Sequence, residues 1–136
     1  ILNDDATFSV NDVTVTEPVS GTKTVRFTVS LSSTSSNEVR VSYRTTDGTA
    51  RSTGSGSGPW NCSMIDFFPV SGTLPIPANA TSGFVDVSVC GGDARGEPNQ
   101  VFYLDLSAPV GTTIADARGV ATIKDAFPSA PKLRLP

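Results

Sequence analysis

Apolar residues recur at every second position along most of the chain, the spacing of strands that bury one face and expose the other. In "VRFTVSL", Val25, Phe27, Val29 and Leu31 share one face, while Arg26, Thr28 and Ser30 share the other. "VRVSY" repeats the arrangement with Val39, Val41 and Tyr43, "FVDVSV" with Val85, Val87 and Val89, and "FYLDL" with Phe102, Leu104 and Leu106. "VTVTE" places Val13 and Val15 together, and "VATI" turns Ala121 and Ile123 inward. Acids inside these runs, such as Asp86 and Asp105, fall on the solvent face. No window carries a 3.6-residue period, so helices are not expected.

Turn-forming clusters separate the alternating runs: "EPVSGTK", "SSTSSNE", "TTDGTA", "PANATSG", "GGDARGEPN" and "SAPVGTT". Gly, Pro, Asn, Asp and Ser supply the backbone conformations and local hydrogen bonds that turns require. Short strands at such intervals predict an all-β chain folded as an antiparallel sandwich. Two stretches stand outside the pattern. "RSTGSGSGPWNCSM" is a Gly/Ser-rich insertion, long for a strand connection, with Trp60 and Cys62 at its end. Trp60 is expected to pack beside a disulfide, with ligand contact as the alternative role. "FPSAPKLRLP" is Pro-rich and without period, a linker or tail. The opening "ILNDDA" echoes "TIKDAF" at Thr122–Phe127, an apolar strand end followed by Asp. We therefore expect residues 1–5 to close a preceding repeat or linker, 6–126 to form the domain, and 127–136 to be tail.

Composition narrows the function. The chain has 136 residues, one domain's worth, and no histidine. Histidine-based catalytic triads, histidine–zinc sites and a near-neutral imidazole base are thereby excluded. No "GxSxG"-type elbow is present, and an enzyme is not expected. A net charge of −3 offers nothing to nucleic acid or an anionic membrane surface, and no apolar run is long enough to span a bilayer. The two cysteines, Cys62 and Cys90, are too few for a structural zinc site. In a Ser/Thr/Gly-rich β-domain they are expected to pair, which points to an oxidising, extracellular or cell-surface location.

The acids at strand ends carry the remaining chemistry. Glu17 follows the first alternating strand, Asp47 lies in "TTDGTA", Asp93 and Glu97 lie in "GGDARGEPN", and Asp125 follows the last strand. In an antiparallel sandwich the ends of alternate strands gather at one pole, so loops distant in sequence can bring these side chains together. Two like charges about 4 Å apart repel by roughly 1–4 kcal/mol, depending on the local dielectric. A hard cation removes that cost, and calcium takes six to eight oxygens from carboxylates, backbone carbonyls and water.

Three segments then resemble a Calx-beta domain. They are "VTVTEPVSGTKTVRFTVSLSSTSSNEVRVSYRTTDGTA", "DFFPVSGTLPIPANATSGFVDVSV" and "GDARGEPNQVFYLDLSAPVGTTIADARGVATIKD", together covering about Ala6 to Asp125. The resemblance implies an immunoglobulin-like sandwich of about seven strands that binds calcium at one pole. On matching positions, the ligands it implies are Glu17, Asp47, Asp93, Glu97 and Asp125, with the Arg95 carbonyl as a further partner. Asp66 matches a common aspartate of the family, and its expected role is to hold the turn before Phe67. The chain departs from the acid-rich pattern of calcium-binding members. Gly92, Gly96, Asn99 and Gln100 stand where acids often stand, and Lys124 precedes the single Asp125. Fewer charges imply one or two calcium ions at most, with weak, extracellular-grade affinity.

Three functions follow as expectations. The first is a calcium-binding spacer or adhesion module of a larger surface or secreted protein, with neighbouring domains of its own chain as partners. The second is a structural repeat whose metal site has decayed. The third is recognition of a glycan or cell-surface protein through the Trp60 loop.

Overall fold

The computed structural model describes residues 6–18, 21–53, 62, 64–91 and 99–124. The described residues form nine strands and no helix: β1 Thr7–Val10, β2 Val13–Thr16, β3 Thr22–Leu31, β4 Val39–Asp47, β5 Ser71–Ile76, β6 Ser82–Cys90, β7 Gln100–Val110, β8 Thr113–Asp116 and β9 Arg118–Lys124. They build two sheets, one ordered β6-β3-β1-β8 and the other β2-β9-β7-β4-β5. The fold is the expected all-β sandwich.

The period-two alternation became the core. Val25 and Phe27 of β3 pair with Val87 and Val85 of β6, and Val29, Leu31 and Val89 lie on the same strands. All seven are buried, as are Val39, Val41, Phe102, Leu104, Leu106, Ala121 and Ile123 of the other sheet. Tyr43 is only half-buried but packs against the same core. The rings of Phe67 and Phe102 stack at 4.0 Å between centroids, and Phe27 meets Phe102 edge-on at 6.1 Å. Asp47 pairs with Phe102, and Phe67 bridges Val89, so the stacked rings lie beneath one pole of the sandwich.

Three details correct the sequence reading. The strands number nine rather than about seven, because the first strand divides between the sheets and two short edge strands, β5 and β8, join the ends. The dividing point is Asn11–Asp12. Asn11 exchanges hydrogen bonds with Thr28 of β3: its Oδ1 accepts the Thr28 N–H and its own N–H donates to the Thr28 carbonyl. Asp12 Oδ1 accepts the Val120 N–H of β9 in the opposite sheet. Gly119 makes the crossing possible, since a Cβ there would stand 2.4 Å from the Asn11 carbonyl oxygen. Second, the pairing is not wholly antiparallel. The divided strand runs parallel to its C-terminal neighbours, β1 along β8 and β2 along β9. Third, "SAPV", read as part of a turn, continues β7. The register advances three residues on β7 for two on β4, and Ala108 takes a φ of 48°, which marks a β-bulge that admits Pro109.

Asp86 and Asp105 face outward but are engaged. Arg26 forks onto Asp86 at 2.8 and 3.1 Å while lying over the Phe84 ring, and Arg118 forks onto Asp105 at 2.7 and 2.9 Å while lying over Tyr103. Asp105 also accepts the Thr46 hydroxyl at 2.7 Å. The Arg26 hydrogen bond holds the Asp86 carboxyl below its usual range, and the Arg118 and Thr46 hydrogen bonds do the same for Asp105 against the opposing effect of burial. Both folded-state values lie below the unfolded one, near 4, so both contributions are complete above about pH 5. They are lost as the pH falls through the lower folded values. The urea midpoint is therefore expected to fall below about pH 4, and Asp105→Asn to fall less steeply there; parallel curves for the two proteins would refute the assignment.

Candidate metal pole

Six strand ends meet at one pole. β2 and β9 run parallel and finish together at Thr16 and Lys124. β3 starts opposite the end of β6, with Thr22 beside Cys90. β7 starts beside the end of β9, with Gln100 opposite Ile123, and β4 ends at Asp47 opposite Phe102. The β6–β7 and post-β9 segments therefore leave from this end and carry Asp93, Glu97 and Asp125 in their sequence, while Glu17 follows β2 and Asp47 closes β4.

Two of the five expected acids are described. Glu17 directly follows β2; it is buried, 7% exposed, and its N–H donates to the Lys124 carbonyl at 2.8 Å. Asp47 closes β4. Its Oδ1 accepts both the Ser52 N–H at 3.2 Å and the Ser52 hydroxyl at 2.6 Å, which fixes the carboxylate orientation. Asp93, Arg95, Glu97 and Asp125 lie outside the described residues, as does Trp60. Among the described residues no three of the His, Cys, Asp or Glu side chains come close enough to hold a metal. Glu17 and Asp47, the described acids of the pole, carry carboxylate oxygens, which are hard donors.

The pole is knitted by contacts of which the sequence reading anticipated the Cys62–Cys90 disulfide and the role of Asp66, but not the approach of Gly91 to Pro18. Asp66 Oδ2 accepts the Arg51 N–H and the Asp66 N–H donates to the Arg51 carbonyl, both at 2.8 Å, so the insertion is closed at its neck. The Asp66 carbonyl accepts the Cys90 N–H at 2.8 Å. This agrees with the structural role expected for Asp66. Cys90 is bonded to Cys62 in a disulfide, which ties the insertion to the end of β6. Gly91 follows, its N–H donating to Gly21; a Cβ there would lie 1.9 Å from the Pro18 carbonyl oxygen. Only glycine lets the β6 exit press against the residue after Glu17. The signal for this was in "CGG" directly after the β6 alternation, a close-approach glycine rather than a turn glycine.

No protein-family profile matches the chain, and no curated protein matches it in sequence. Solved structures do. The chain is similar to the apo-form Calx CBD1 domain at 21% identity, covering 90% of this chain and 98% of that one, with a TM-score of 0.71. It is similar to CBD12 from CALX1.2 at 21% identity and a TM-score of 0.69. It is also similar to the calcium binding domain CBD12 of CALX1.1 at 23% identity and a TM-score of 0.66. In both of the latter, 87% of this chain covers 44% of the other. Two sheets, a shared core and near-complete coverage of the single-domain structure lead to one conclusion: the chain has the fold of the Calx CBD domains.

Proposed function

We propose that this chain is a calcium-binding sandwich module of a larger surface or secreted protein, acting as a spacer or adhesion unit. Glu17, Asp47, Asp93, Glu97 and Asp125, with the Arg95 carbonyl, are the proposed ligands for one or two calcium ions. The observation that supports this most is the convergence of the β2, β4, β6 and β9 ends at one pole, since every proposed ligand is attached to one of those ends or to the segment that follows it. The likeness to a calcium binding domain supports the reading, and the Cys62–Cys90 disulfide supports an oxidising location. The proposed domain is 6–126, with neighbouring domains of the same chain as its partners and a binding rather than catalytic role.

Calcium is expected to stabilise the folded protein. A ligand at about a hundred times its Kd adds about 2.7 kcal/mol, a rise in Tm on the order of 10 °C for a domain of this size. Calorimetry in millimolar calcium against chelator reads this shift. Asp47→Asn and Asp93→Asn should each reduce it. An identical Tm in calcium and chelator would leave a scaffold whose metal site has decayed.

A further inference from the structure

We infer that the outer face of the five-stranded sheet carries a second site, separate from the acidic pole, that takes a saccharide bearing a carboxylate. A recess of about 480 Å³ opens there, walled by Ser42, Tyr43, Arg44, Ser71, Gly72 and Ser107. The recess is an open depression rather than an enclosed cleft.

The lining is a set of polar groups that the fold leaves unused. Ser42 pairs with Ser107 across β4 and β7, and Arg44 pairs with Ser71 across β4 and β5, so residues from three strands meet at the recess. None of the Ser42, Ser71, Ser107 and Tyr43 hydroxyls makes a hydrogen bond with a described residue. Arg44 is exposed and forms no ion pair among the described residues. Its neighbour in register is Asp105, whose two oxygens are already held by the Arg118 fork and the Thr46 hydroxyl. A guanidinium beside a committed carboxylate is open to an incoming one, which it can bind through two parallel N–H donors.

These groups match one class of ligand. Serine hydroxyls both donate and accept, as sugar hydroxyls do. Arg44 selects for a carboxylate. None of the proposed calcium ligands walls the recess, so binding is expected without calcium.

The test is a calorimetric or NMR titration of the protein in chelator with trigalacturonate, beside the neutral galactose trisaccharide. Trigalacturonate is expected to bind at least about tenfold more tightly than the neutral sugar, and Arg44→Ala to lose about tenfold or more. Arg44→Lys should recover part of that loss, since it keeps the charge without the fork. Arg44→Ala should melt close to the parent, because Arg44 adds only a through-space attraction to Asp105, the smallest of the influences on that carboxyl. Equal binding of the two sugars, no binding of either at millimolar concentration, or undiminished binding by Arg44→Ala would each overturn the proposal. Binding that requires calcium would move the saccharide to the pole and overturn it as well.

Discussion

Phe102→Ala is expected to destabilise the domain by about 3–5 kcal/mol, the range for removing a fully buried phenylalanine ring. Phe102 has no exposed surface, stacks on Phe67 at 4.0 Å and meets Phe27 edge-on, so its loss opens a cavity bounded by two other rings. The surroundings have little room to collapse. Phe102 is held in register between Asp47 and Ala121 on the neighbouring strands, and Phe67 is fixed by its bridge to Val89. Chemical denaturation gives the measure: the midpoint should drop sharply with little change in slope. Phe84→Ala is the comparison. Phe84 is 51% exposed and its main contact is the guanidinium of Arg26, so its loss should cost about 1 kcal/mol or less. Similar costs for the two substitutions would contradict this assignment of the core.

Reduction of the Cys62–Cys90 disulfide is expected to cost about 3–4 kcal/mol, since the bond closes a loop across a sequence separation of 28 residues. The sandwich should nevertheless remain folded. β6 keeps nine residues paired with β3, and Val85, Val87 and Val89 stay in the core. The hydrogen-bonded neck between Arg51 and Asp66 does not depend on the sulfurs. A reductant should therefore lower the urea midpoint of the parent protein while leaving the strand signal in circular dichroism unchanged. The Cys62→Ala, Cys90→Ala double variant should start from the lowered midpoint and be indifferent to reductant. A parent protein equally indifferent would remove the disulfide from the account of stability.

The parts of this fold that could be read from the sequence are those where one strand carries a complete alternation. β3, β6 and the first half of β7 did so, because each buries one face against the opposite sheet and exposes the other. β1 was missed: "TFSV" is four residues, and its two buried residues look like a fragment until Asn11 and Asp12 are seen stapling it to both sheets. β5 was missed because Pro75 and Gly72 argue against a strand; both are tolerated because β5 is the edge of its sheet. β8 shows almost no burial pattern, since "TIAD" is held by backbone pairing with β1 and only Ile114 packs inward. The bulge at Ala108 could not be anticipated, as its positive φ belongs to a residue type that rarely adopts one. At the pole, the sequence placed Glu17 and Asp47 at strand ends, where the structure has them. It did not reveal that Ser52 orients Asp47 or that Gly91 presses on Pro18, because both depend on how separate segments approach in space.

The divided first strand also fixes how the domain would carry tension. Ala6 precedes β1 at the pole opposite to the one where β9 ends at Lys124, and β2 lies parallel to β9 through four residue pairs from Val13–Ala121 to Thr16–Lys124. A pull between Ala6 and Lys124 runs along the strand axes, so the β1–β8 and β2–β9 hydrogen bonds are sheared together rather than unzipped one after another. The Asn11–Asp12 crossing sits between those two ladders, and it transmits the load from one sheet to the other.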